Sequence, residues 1–369
     1  MKIKNLLLTL VIGVVFLGAC VSPPATPATS TLKPTVTPTL SSTSPSSTTG
    51  PYTGPLFDAH LHLYDMYSGT PAQLSSMKLK SATDLLNYLD RNDIVGAIGF
   101  YTVPPNDASS SWLSTPGAII NGSKSRVIPL LQPSPWSAFA SGRFNETTLR
   151  TYLQPQGLFQ GVGEIVLIQP EMQTVTFDSP VMQTVFQVVN EKKCIVMIHP
   201  SNGSGVRSTE LPEIEPAIIK YSDAIFLFHS TFSFNVVAPL LSKYPNVYYS
   251  MDFGGSFWKG GGDPLYPADA SSKNTTSFLA TVNQVGIDRI VTENIRNWTP
   301  RLRQYPDRII WGTDFGGDAT LFWHFDDSVT DMVVRISRQF IGGLPADIQE
   351  KYAYQNAQRV FGRFLTPNP

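Results

Sequence analysis

Cysteine is nearly missing from this chain, which has two in 369 residues, Cys20 and Cys194. A disulfide-stapled framework is therefore excluded, and the fold must hold by its core. Charge is also scarce: 15% of residues are Asp, Glu, Lys or Arg, the net charge is −1, and no block of lysine or arginine occurs. That removes the electrostatic footprint that nucleic-acid binding needs, so no nucleic-acid partner is expected. No Gly-x-Gly-x-x-Gly follows the first apolar strand, which counts against a doubly wound dinucleotide fold. No repeat of 20 to 50 residues is visible. What the chain has is length for one large α/β domain or two ordinary ones, with 42% hydrophobic residues.

Lys2 and Lys4 precede an apolar run from Leu6 to Ala19, too short for a relaxed membrane span but with the charge and length of an export signal. It closes in Leu17-Gly18-Ala19-Cys20, which resembles the bacterial lipoprotein cleavage signal. The resemblance implies that residues 1–20 are a signal peptide and that Cys20 carries the lipid. The mature protein is then expected outside the cytoplasm, held to the bacterial cell membrane by a lipid anchor. From Val21 to Pro55 the chain is rich in Pro, Ser, Thr and Ala, with Lys33 its single charge. Such a stretch buries too little apolar surface to offset its ordering entropy and reads as a disordered tether. At about 3.1 Å per residue it could reach roughly 100 Å.

Residues 56–369 form the remaining domain. Eight short apolar runs predict strands: Leu56 to His62, Ile94 to Tyr101, Val127 to Gln132, Gly161 to Ile168, Cys194 to His199, Ala224 to His229, Asn246 to Asp252 and Arg308 to Asp314. Helical spacing recurs between them, as in Leu85, Leu86, Leu89 and Val185, Phe186, Val189, with Asp178 or Ser179 before Pro180 as a helix start. Apolar strands alternating with helices indicate a covered parallel sheet, and eight units predict a (β/α)8 TIM barrel. A closing helix is expected from Ala346 to Arg363, packed on the barrel exterior through Ile348, Tyr352, Ala353, Ala357, Val360 and Phe361.

The polar residues fall at strand ends. In Leu56-Phe-Asp58-Ala-His60-Leu-His62, strand alternation puts Asp58, His60 and His62 on one face, away from Phe57, Ala59 and Leu61. His199 and His229 each close an apolar strand, Asp314 closes the last, and Glu164 interrupts the fourth. An unpaired carboxylate there would cost several kcal/mol and is expected to be paired with Arg126 or another base, protonated, or metal-bound. Four of the five histidines thus converge on one barrel mouth. Imidazole and carboxylate are the donors of catalytic divalent cations, zinc above all.

The order Asp58-x-His60-x-His62, Glu164, His199, His229, Asp314 resembles the amidohydrolase superfamily of metal-dependent barrel hydrolases, in particular its amidohydrolase-related branch, which also contains non-oxidative decarboxylases. Gly163-Glu164-Ile165, Trp311-Gly312-Thr313-Asp314 and Asn356-Ala357-Gln358-Arg359-Val360-Phe361-Gly362 support the likeness. Many members bridge two metals with a carboxylated lysine; here Glu164 stands in its place, as in the TatD-type branch. The resemblance then implies either of two arrangements. With Glu164 bridging, one ion lies on His60, His62 and Asp314 and a second on His199 and His229. Otherwise a single ion lies on His60, His62, His199 and Asp314, and His229 polarises the substrate.

The expected activity is hydrolysis of a small-molecule amide, ester or lactone by metal-activated water, with Asp314 as the base. A decarboxylase, a TatD-like nuclease and a catalytically silent surface binding protein are the alternatives. Asp58 is expected either to accept from a ligating imidazole or to be a buried structural aspartate. Substrate contacts are expected from the strand-to-helix loops, through Trp136, Arg207, Trp258 and His324.

Overall fold

The computed structural model describes residues 50–64, 81–103, 114–154, 158–167, 170–172, 174–199, 210–253, 274–316 and 326–365. The signal sequence with Cys20, the tether as far as residue 49, and Arg207, Trp258 and His324 lie outside the described residues.

All eight expected strands form. They are β1 (Leu56–Tyr64), β2 (Ile94–Val103), β3 (Val127–Pro133), β4 (Gly161–Val166), β5 (Ile195–His199), β6 (Ile225–Phe228), β7 (Val247–Asp252) and β8 (Ile309–Gly312). They join in parallel in sequence order as one eight-stranded sheet. Just beyond β8 the sheet turns back on β1, where His62 N–H donates to the Phe315 carbonyl (2.7 Å) and Asp314 N–H to the His60 carbonyl (3.0 Å). This is the eight-fold α/β barrel that the strand rhythm predicts.

Alternation along the strands sorts the apolar residues into two cores. Outward residues such as Val196, Ile198, Phe226, Phe228 and Trp311 meet the surrounding helices. The helix Pro180–Glu191, started by Ser179 and Pro180, buries Val185, Phe186 and Val189 in that layer. Inward residues Phe57, Ile98, Phe100, Ile128, Leu130, Ile195, Met197, Leu227 and Ile310 fill the lower lumen.

The closing helix departs from expectation. It runs as Ala346–Glu350, a π-helical turn Lys351–Gln355, and Asn356–Phe361. Ile348, Tyr352 and Ala353 join the outer core as foreseen. Ala357, Val360 and Phe361 instead join the inner core, with the Phe361 ring 6.2 Å from Phe57 and 6.4 Å from Tyr248. The extra residue of a π turn rotates the apolar stripe, so its second half seals the barrel floor, whose large inward side chains would otherwise face water.

β1 also departs. Phe57 and Ala59 belong to the inner core while Leu61 and Leu63 belong to the outer one, and the pairing with β2 slips between Asp58 and Leu61. The slip resets the parity, so His60 and His62 face inward but Asp58 does not share their face.

The tether was expected to reach Pro55, yet Tyr52 N–H donates to the Arg338 carbonyl (2.8 Å), and the Arg338 guanidinium donates to the carbonyls of Tyr52, Gly54 and Asn92 (3.0, 2.9 and 2.8 Å). A Cβ on Gly342 would stand 2.1 Å from the Gly50 carbonyl oxygen, so only glycine lets this strap lie down. Residues 50–55 are thus part of the barrel.

Candidate metal centre

Six side chains on five different segments meet at the carboxyl end of the barrel: His60 and His62 from β1, Glu164 from β4, His199 from β5, His229 after β6 and Asp314 after β8. All but His62 are at least 95% buried, and the His62 side chain is 13% exposed. Asp314 adopts φ 58°, a left-handed conformation that aspartate tolerates better than most residues.

The donor atoms are close-set. His60 Nε2 lies 3.0 Å from His62 Nε2, and each lies 3.3 Å from Asp314 Oδ1. Glu164 Oε2 is 3.8 and 3.7 Å from the same two nitrogens. The other oxygen of Glu164, Oε1, faces His229 Nε2 at 3.8 Å and has no hydrogen-bond partner among the described residues. The His199 ring stacks on that of His229 at 4.8 Å, and ligand atoms of Glu164, His199 and His229 lie within 4.8 Å of one another. Arg126 pairs with Asp90 at 2.6 Å, so it is not the partner of Glu164. Among the described residues the ion-pair partners of Glu164 are all imidazoles.

A seventh residue, Asp252 at the end of β7, was not anticipated as a site residue. Its Oδ2 lies 3.3 Å from both His60 Nδ1 and His229 Nε2, and its Oδ1 accepts from the Ser250 hydroxyl at 2.5 Å. The signal was present in the sequence, since Asn246 to Asp252 ends in a carboxylate just as Arg308 to Asp314 does. Thr231 is a further partner: its backbone N–H donates to His229 Nδ1 at 3.1 Å and its hydroxyl lies 2.7 Å from the same nitrogen. An imidazole nitrogen that accepts an amide proton carries none of its own, so on the neutral ring the proton sits on Nε2.

Asp58 proves structural. Its Oδ1 accepts from the backbone N–H of His60 (3.0 Å) and of Thr313 (2.9 Å), and its Oδ2 accepts from the Thr313 hydroxyl (2.6 Å). It stitches β1 to the end of β8. Burial pushes its carboxyl up to about 7 against the pull of those hydrogen bonds.

Burial opposes a charged His60 ring, but Asp314, Asp252 and Glu164 outweigh it and raise the imidazole to about 10. A pocket that holds a proton so firmly is strongly negative, and its chemistry suits a cation. Two ligands each about 2.0–2.1 Å from one tetrahedral ion stand roughly 3.3 Å apart. The spacings among His60, His62, Asp314 and Glu164, 3.0 to 3.8 Å, match such an edge length. These residues could hold a divalent ion. Trp136 opens the helix Trp136–Ala140 after β3 and packs edge-on to Phe139 at 6.2 Å, beside the outer core.

No family model matches the chain, and no curated protein matches it. Solved structures similar to it include amidohydrolase 2 from Bifidobacterium longum subsp. infantis, 14% identical with a TM-score of 0.46, covering 84% of this chain and 99% of that one. A probable 2-pyrone-4,6-dicarboxylic acid hydrolase from Acinetobacter baumannii is 12% identical with a TM-score of 0.49, over 83% of this chain and 99% of that one. A 5-carboxyvanillate decarboxylase from Sphingomonas paucimobilis is 12% identical with a TM-score of 0.43, over 84% and 99%. Identity this low carries no residue assignment, so the chemistry has to come from the chain's own side chains.

Proposed function

We propose that this protein is a metal-dependent hydrolase of the amidohydrolase kind, acting on a small-molecule amide, ester or lactone. The observation that supports it is the group of four donor atoms at ion-ligand spacing beside a buried carboxylate oxygen that no hydrogen bond from the described residues satisfies. His60, His62, Asp314 and Glu164 would hold a divalent cation, zinc in the first place, with His199 adjoining them across Glu164. When bound, the ion supplies Lewis acidity: it lowers the pKa of water to about 7 and polarises a carbonyl oxygen.

The chain's own groups do the rest. Asp314 accepts the proton of an attacking water and returns it to the leaving group. Its Oδ1 lies against His60 and His62 while its Oδ2 looks toward His229 Nε2, 4.0 Å away. His229, with its proton on Nε2, can donate a hydrogen bond to the substrate's oxygen, a role that leaves it outside the ligand set. The enclosing strands keep water from competing for these hydrogen bonds.

The test is metal analysis of the purified protein followed by assay on a panel of amides, esters and lactones. Chelation is expected to abolish turnover and zinc to restore it. Carbon dioxide release from an aromatic or enoic acid would convert the reading to a decarboxylase, and metal binding without turnover of either class would leave a binding protein.

We also propose that Cys20 is lipidated and holds the protein outside the cytoplasm, on the strength of Leu17-Gly18-Ala19-Cys20 after the apolar run. Cys20→Ser is expected to lose palmitate label and move from the membrane to the soluble fraction; an unchanged distribution overturns the anchor.

A further inference from the structure

Asp252 is wholly buried, lies on a strand outside the ligand set, and touches two imidazoles at once, each at 3.3 Å. The two contacts are to different ring positions. His60 presents Nδ1 to it while its Nε2 faces His62 and Asp314. His229 presents Nε2 to it while its Nδ1 is taken by Thr231. Each contact is thus made by the ring nitrogen that carries a proton when the opposite nitrogen's lone pair is in use.

The surroundings are built for a carboxylate at this point. Ser250 donates to Oδ1, and the Ser230 backbone N–H approaches Oδ2 at 3.4 Å. A Cβ at residue 312 would come within 2.2 Å of Oδ1 and 3.3 Å of the His60 Cβ, so Gly312 on β8 is what leaves the space. His60 itself is boxed by the Phe100 ring edge-on at 4.9 Å and the His229 ring at 4.7 Å, so Asp252 closes the remaining polar side.

Resting on the function proposed above, we propose that Asp252 is a positioning residue that fixes both rings: it takes the Nδ1 proton of His60, aiming the Nε2 lone pair into the cation site, and holds the His229 proton on Nε2 until a substrate's oxygen takes that hydrogen bond over. A ligating imidazole whose other N–H is held by a carboxylate binds its metal more tightly because the ring is oriented and more basic. One carboxylate shared between a ligand and a neighbouring donor couples the metal site to the group that meets the substrate. Asp58, which the sequence put beside the ligands, is committed to Thr313 and cannot do this.

The experiment is zinc affinity by competition with a chromogenic chelator, for the full chain and for Asp252→Asn and Ser250→Ala, with thermal melts of the chelator-treated proteins alongside. Asp252→Asn is expected to weaken zinc binding by about 10- to 100-fold, and Ser250→Ala by less than that, without comparable loss of melting temperature. If wild type binds zinc and Asp252→Asn binds it equally well, the positioning role is overturned while the proposed function stands. If wild type binds no zinc, the function falls and the inference with it. Should Asp252→Asn fail to fold, ring-nitrogen NMR of the zinc-loaded wild type decides: His60 is expected protonated on Nδ1 and His229 on Nε2. A His229 protonated on Nδ1 overturns the proposal.

Discussion

The upper and lower halves of the barrel lumen are lined by the same strands, and on most of them the same inward parity, yet they are made of opposite materials. On β5 the inward series runs Ile195, Met197, His199; along and just after β6 it runs Ile225, Leu227, His229; through and beyond β8 it runs Ile310, Gly312, Asp314. One pleat separates a dry apolar floor, closed by Phe361, from a cluster of imidazoles and carboxylates. The floor can supply stability by burial because it asks nothing polar of itself. The upper cluster buries carboxylates whose partners are imidazoles, an arrangement that contributes little to folding and suits a bound cation. A barrel can thus stack a packing layer under a chemical layer on strands only four to ten residues long.

The division can be broken by substitution on either side. His62→Ala is expected to weaken zinc binding by more than about a thousandfold, since a ligand is lost, while costing less than about 1 kcal/mol of stability in the chelator-treated protein. Zinc competition and thermal melts check this, and a protein that unfolds instead would show the upper layer to be structural. Phe361→Ala should do the reverse, costing about 3–5 kcal/mol in denaturant unfolding and leaving zinc affinity in the folded protein within a few-fold. A parallel fall in affinity would show that the floor positions the ligands.

Asp314→Asn keeps a ligating oxygen but loses the base, so zinc is expected to stay and kcat to drop about 100-fold; full activity in this variant removes Asp314 as the proton acceptor. The smallest effect concerns Cys194, on the outer layer. Burial raises its thiol to about 11, so at pH 8 it should resist iodoacetamide in the native protein and react only in urea, as read by peptide mass spectrometry. Labelling at native pH 8 would mean that the outer layer opens.

Strand alternation made most of this division legible from the chain alone. All eight strands, and the inward aim of His199, His229 and Asp314, follow from runs of apolar residues ending in one polar residue. Alternation failed where a local irregularity reset it. The slip in β1 took Asp58 off the face of His60, and its role beside an imidazole is filled by Asp252 on β7. The π turn at Lys351–Gln355 likewise sent Phe361 to the floor. Neither device has a residue signature of its own, because both answer to contacts made far along the chain. Thr231 was beyond reach for a simpler reason: which nitrogen of His229 it caps depends on a turn of three residues that composition does not fix.

The strap formed by Gly50 to Pro55 has a mechanical consequence. It is clamped by Arg338 and Gly342 and leads directly into the start of β1, next to Asn92 and Asp93, which precede β2. Any pull from upstream is therefore met first by guanidinium–carbonyl bonds at the start of β1, before it reaches the part of that strand that carries His60 and His62.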